Sequence, residues 1–166
     1  MSRHLNGVLL SALLIVAAGS VSAHPGDHPQ AGARPAAQAP PEAARVVDAF
    51  HSALSRGDNV TALAQLADDV LIFEAGGTER SKAEYASAHL AGDAAFAQAI
   101  PAKLVRRTGG ISDAFAWVAS EGRTQGRYKD RDVNRVTTET MLLRRDGRGW
   151  KIVHVHWSSR AAAAAP

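Results

Sequence analysis

The chain of 166 residues contains no cysteine. Disulfides, thiol nucleophiles and thiolate zinc sites are therefore excluded, and any folded part must be held by its apolar core alone. Aromatic residues are scarce, at 5%, with three Trp, two Tyr and four Phe. Each large ring is therefore either core or the wall of a site. No long block of one charge occurs; the formal charge of +3 comes from 19 Lys and Arg set against 16 Asp and Glu. The basic clusters are short (Arg106-Arg107, Arg144-Arg145 and Arg123/Arg127/Lys129/Arg131) and do not interleave with aromatics. That pattern argues against nucleic-acid binding. Proline is sparse outside the stretch from His24 to Pro41, which holds five of the seven, and no internal repeat is present.

The N-terminus reads as a targeting segment. Arg3 and His4 precede an apolar core from Val8 to Ala18, and Val21-Ser22-Ala23 supplies a small-residue cleavage pattern. The apolar core is short for a bilayer span. We expect a signal peptide over 1–23, export to a periplasm or secretion, and no membrane association after cleavage. The Pro/Ala-rich stretch 24–41 reads as a disordered leader, residues 42–160 as one domain of ordinary size, and 161–166 as a disordered tail. His24, Asp27 and His28 beside a new amino terminus could chelate copper or zinc, or the leader could be inert; the sequence leaves both open.

Within 42–160 the pattern is α-α-β-α-β-β-β-β. Pro40-Pro41-Glu42 opens a helix whose Val46, Val47, Phe50, Ala53 and Leu54 form an apolar face, and Gly57 ends it. A short helix over about Val60 to Ala67 follows. Asp68-Asp69 form a turn into the strand Val70 to Glu74, and Ala75-Gly76-Gly77 turn again. Ser81-Lys82-Ala83-Glu84 fits a capping box. In the helix it starts, Tyr85, His89, Asp93 and Phe96 share a face, and Gly92 is a place for a break. Four strands complete the chain: about Lys103 to Thr108, Ala114 to Gln125, Arg135 to Arg144 and Trp150 to Ser158. Arg127 to Asn134 reads as a longer charged loop. Long antiparallel strands with helices gathered on one face define an α+β architecture.

The closing strand, Gly149 to Ser158, is the densest run of β-branched and aromatic residues. By simple alternation Trp150, Ile152, His154 and His156 share one face, and Lys151, Val153, Val155 and Trp157 the other. Two imidazoles at i and i+2 can bind a metal with a third ligand, but the pattern is short, and we expect neither metal nor cofactor.

Four features together resemble the nuclear transport factor 2-like superfamily, in its SnoaL-like and domain-of-unknown-function 4440 branches. They are Arg56-Gly57-Asp58, Leu66-Ala67-Asp68-Asp69-Val70, the Gly76-Gly77 turn before a helix, and the closing Gly149 to Ser158. The resemblance implies a cone-shaped fold, a curved antiparallel sheet wrapped around the N-terminal helices, with a cavity inside and homodimers formed through the outer face. Such folds host isomerases, cyclases, dehydratases and binding domains, so the fold alone does not name a reaction. In ketosteroid isomerases of this superfamily the first long strand ends in the general base, a place that falls on Glu74. The isomerase oxyanion donors would fall on Phe50 and near Thr140, neither an equivalent donor. The isomerase register also turns Val153, Val155 and Trp157 inward and sends His154 and His156 to the outer side.

The expected function is binding of a small, largely apolar molecule in the cone cavity. The ligand-binding candidates are Phe50, Tyr85, Trp117, Arg123, Thr140, His154, His156 and Trp157. Alternatives are a SnoaL-like enzyme with Glu74 as general base and His89 assisting, or a non-catalytic dimerisation or partner-binding domain.

Overall fold

The structure, a computed structural model, describes residues 37–147 and 149–163. The expected signal peptide, residues 24–36 with the His24/His28 segment, and residues 164–166 lie outside the described residues.

Helix α1 (Pro41–Arg56) begins with proline at its first position, where no intrahelical N–H is needed, and stops at Gly57. Gly57 adopts the left-handed conformation (φ 68°) that closes a helix most cheaply without a β-carbon. Helix α2 (Asn59–Gln65) is capped by Asp58, whose carboxylate accepts from the Thr61 N–H at 3.0 Å. Strand β1 (Leu66–Glu74) turns back through Ala75 and Gly76, both at positive φ, into the short β2 (Gly77–Glu79). Ser81 caps α3 (Lys82–Ala88) by accepting from the Glu84 N–H at 3.1 Å. Glu84 reaches back to the Arg80 N–H at 2.7 Å rather than to Ser81. The expected third helix is broken at His89, not Gly92, and continues as α4 (Leu90–Ala99).

Strands β3 (Ala102–Ile111), β4 (Phe115–Tyr128), β5 (Arg131–Asp146) and β6 (Gly149–Ala161) complete one curved sheet in the order β2-β1-β6-β5-β4-β3. All pairings are antiparallel except that β1 runs parallel to β6. The charged segment read as a long loop is strand almost throughout. Tyr128 pairs with Arg131 across a two-residue turn, and Lys129 and Asp130 take positive φ values of 47° and 62°. Positive φ at both central positions matches the twist of a hairpin, so the strands extend to their ends. The folded region also exceeds the limits expected from composition. Ala37, in the leader, accepts from the Gly109 N–H and the Thr108 hydroxyl, and the Ala162 N–H donates to Asn134.

The concave side of the sheet packs on α1. Val47, Phe50 and Leu54 meet Ala116, Val118, Met141, Leu143, Ile152 and Val155, all at or near zero exposure. Burying side chains of this size contributes roughly 1.5–3 kcal/mol each. A bulge in β6 decides which residues join them. Leu143 faces Ile152 and Leu142 faces His154, so Val153 is an extra residue. The inward set is Trp150 and Ile152 before the bulge, then Val155 and Trp157 after it. Simple alternation was right for the first half of the strand and the isomerase register for the second.

Candidate active site

Val70, Ile72 and Glu74 share the inward face of β1, because side chains alternate. Val70 and Ile72 are buried, and Glu74 ends the strand at the rim. Glu74 stands opposite Trp157 of β6 on one side and Gly77 of β2 on the other. Glu79 of β2 pairs with Ile72 and so also turns inward, where it is 5% exposed. Tyr85, His89 and Asp93 come from the helical side. Although the helix breaks at His89, the spacing of four holds across the break, and all three reach the same pocket.

That pocket has a volume of about 180 Å³ and is lined by Glu74, Ala75, Gly77, Glu79, Tyr85, His89, Asp93 and Trp157. The His89 Nδ1 contacts the Glu79 carboxylate. Against a carboxylate that nitrogen carries the proton, so Nδ1 is committed to Glu79 and Nε2 is left free. The Tyr85 hydroxyl donates to Asp93 Oδ2 at 2.9 Å. Burial, then the adjacent Asp93 charge, pushes the Tyr85 phenol far up, so it stays neutral. Burial also raises the Asp93 carboxyl, against the opposing effects of the Tyr85 hydrogen bond and the His89 charge. The Glu74 carboxyl is raised by burial, then by the charge of Asp93. Its side chain remains exposed to water on one side, which limits that shift. Raised carboxylic acids near an oriented imidazole are the components of general acid–base chemistry. Among the described residues no group of three His, Asp or Glu is arranged to hold a metal ion.

Behind the Trp157 indole lies a second carboxylate–histidine pair. Glu139 Oε2 accepts from Trp157 Nε1–H and from His51 Nε2, each at 2.7 Å. Burial pulls the Glu139 carboxyl up most strongly, but the His51 hydrogen bond and charge, the Trp157 hydrogen bond and the Arg107 charge together bring it below its ordinary value. Glu139 Oε1 is buried with no hydrogen-bond partner among the described residues.

Of the expected site residues, Glu74, Tyr85, His89 and Trp157 are brought together at the pocket. Phe50 is not on its wall; it is fully buried behind Trp157, with the rings stacked at 6.3 Å. Trp117, Arg123, Thr140, His154 and His156 lie on the outer face of the sheet. The reason is parity: Ala116, Val118 and Thr124 turn inward on β4, Glu139 and Met141 on β5, and the Val153 bulge sends both histidines outward. His154 Nδ1 donates to the Leu71 carbonyl at 2.9 Å, and Phe73 packs edge-on against both imidazoles. The inward carboxylate of β5 is thus Glu139, one residue from the place given to Thr140. Sequence reading missed both Glu79 and Glu139. Glu79 had one available signal: if Glu74-Ala75-Gly76-Gly77 is a two-residue hairpin, Glu79 must face the same way as Ile72.

The sequence profile of the SnoaL-like domain matches residues 44–163. A proposed ketosteroid isomerase from Shewanella frigidimarina is 36% identical, with a TM-score of 0.68 over 70% of this chain and 94% of that one. A proposed dehydratase of the NTF2-like family from Streptomyces avermitilis is 20% identical, with a TM-score of 0.62 over 73% of this chain and 96% of that one. The CaMKII hub of S. rosetta is 21% identical, with a TM-score of 0.59 over 76% of this chain and 100% of that one. Below a quarter identity these likenesses speak for the fold alone. No protein of curated function matches the chain. Profile, fold and the 36%-identical relative agree, and the chain belongs to the SnoaL-like family, on the NTF2-like fold.

Proposed function

We propose that this domain binds a small molecule in the pocket and moves a proton on it, with Glu74 as general base and the Glu79-held His89 as its partner. The observation that carries this reading is the convergence of Glu74, Glu79, Tyr85, His89 and Asp93 on one pocket walled by Trp157. Glu74 has no hydrogen-bond or ion-pair partner among the described residues, and burial raises its carboxyl, which makes its carboxylate a stronger base. The description of the Shewanella frigidimarina relative supports the same class of chemistry. The pocket, at about 180 Å³, is little larger than the ~150 Å³ cavity known to take benzene, which favours a substrate of about one ring over a steroid. This acid–base lining favours the enzyme over a passive binder of apolar molecules.

The test is proton exchange in D₂O. Ring ketones of neutral, cationic and anionic kind (cyclohexanone, 4-piperidone, 4-oxocyclohexanecarboxylate) are incubated with the protein, and deuterium next to the carbonyl is read by NMR. Exchange above the buffer rate for at least one ketone, lost in Glu74→Gln, is the expected outcome. No exchange with any of them ends the reading.

The domain is further proposed to be exported, supported by Arg3, the apolar Val8–Ala18 and Val21-Ser22-Ala23, and to form homodimers through the outer sheet face. Leu71, His154, Leu142 and Trp117 stand side by side there in one cross-strand row, and Phe73, Trp117 and Leu142 are exposed. Similarity to the CaMKII hub fits an association surface on this fold. Sedimentation of the wild type and of Trp117→Ser/Leu142→Ser decides it: a dimer that becomes a monomer is expected, and a wild-type monomer refutes it.

A further inference from the structure

We propose that the pocket's ligand is a small organic cation, an ammonium or iminium compound about the size of a six-membered ring. This rests on the reading of the pocket as a substrate site. Three carboxylates, from Glu74, Glu79 and Asp93, line it against one imidazole, although the chain as a whole is positively charged. Their acceptor oxygens are not used up. Glu79 is 5% exposed and only its Oε1 has a partner, His89. Asp93 uses only Oδ2, toward Tyr85. Oε2 of Glu79, Oδ1 of Asp93 and both oxygens of Glu74, all on residues that line the cavity, have no donor among the described residues. These oxygens are open to water in the pocket, and a ligand that brings several N–H donors and a positive charge can replace that water with charge-assisted hydrogen bonds.

The remaining walls agree. Trp157 spends its N–H on Glu139, outside the pocket, so it offers the cavity an aromatic surface rather than a donor, and cations are drawn to such surfaces. The reaction points the same way. A proton taken from beside a carbonyl leaves negative charge on the substrate, which needs donors or positive charge to hold it. Phe50 supplies no donor, and Glu139, held below its ordinary value, is an anion. A substrate that carries its own positive charge does not need the missing donors.

The experiment is calorimetric titration of the full chain with cyclohexylammonium, cyclohexanol and cyclohexanecarboxylate, which share a ring and differ in charge. Cyclohexylammonium is expected to bind at least tenfold more tightly than cyclohexanol, with the carboxylate weakest. Asp93→Asn and Glu74→Gln are each expected to remove most of that advantage. Glu74 is at the rim, so its variant keeps the test valid should the Asp93 variant fail to fold. Equal or tighter binding of cyclohexanol or the carboxylate overturns the proposal, as does no ammonium binding at millimolar concentration. Its failure is separable from failure of the proton-transfer reading. Exchange of cyclohexanone without ammonium binding sinks this inference alone. Ammonium binding with no exchange of any ketone upholds it and sinks the other.

Discussion

Trp157 separates two carboxylate–histidine pairs that look alike and behave differently. On one side, Glu79 holds His89, whose side chain is 62% exposed at the pocket. On the other, Glu139 holds His51, 41% exposed, and also takes the indole N–H. Both glutamates are buried, and Glu139 is surrounded by enough donors and positive charge to be drawn below its ordinary value. Across the indole, burial pushes Glu74 and Asp93 up, helped by the charge of Asp93 on Glu74 and of Glu79 on Asp93. Burial alone therefore does not set the state of a carboxylate here. Burial raises Glu74, Asp93 and Glu139 alike, and only the donors and positive charge gathered around Glu139 reverse that rise.

The comparison breaks first, and most visibly, in activity. Glu74→Gln is expected to cost about 10²–10⁴-fold in proton exchange, the usual size of a general-base contribution. Glu139→Gln, behind the indole, should cost less than about tenfold. Equal losses would mean that the two sides are not functionally distinct. Next comes stability. His51→Ala leaves the buried Glu139 charge short of a donor and is expected to lower unfolding free energy by about 1–3 kcal/mol in urea titration. His89→Ala should cost less, because the open pocket lets water replace the imidazole.

The smallest effect is the sharpest in sign. Glu139 is depressed, so its contribution is fully present above the unfolded value near 4.3 and is lost as pH falls through the folded one. Glu74 and Asp93 are raised, so theirs is fully present below the unfolded values and is lost as pH rises through the folded ones. Glu74→Gln should therefore raise the urea midpoint slightly at pH 7 and leave it unchanged near pH 3. Glu139→Gln should lower it at pH 7, with a gap that narrows below about pH 4. Shifts of the same sign for both variants would erase the distinction.

Much of the fold was legible because it follows from local rules. The proline start and glycine stop of α1, the Ser81 cap and the four late strands are set by nearby residues. So was half of the site: Tyr85, His89 and Asp93 follow from helical spacing, and Glu74 from its place at the end of an apolar strand. What could not be read was parity over distance. The Val153 bulge puts Trp150 and Trp157 on the same inward face, and it shows only in the pairing of β6 with β5. Residue type draws Trp117 and Arg123 to the cavity and the isomerase register draws Thr140, but strand pairing turns all three outward. Lys129-Asp130 lacked the glycine that marks most tight hairpins, so the turn was taken for a loop.

By itself the sequence determined the limits of α1, the start of α3, the succession of four late strands, the absence of thiol chemistry and the presence of a carboxylate at the end of β1. Each depends on contacts a few residues long or on composition. Only the tertiary structure decided that Glu79 joins Glu74 and Asp93, that Glu139 rather than Thr140 turns inward, and that His154 and His156 are outside. Those outcomes depend on which strand lies beside which and in what register, and a shift of one residue in that register reverses every side chain that follows.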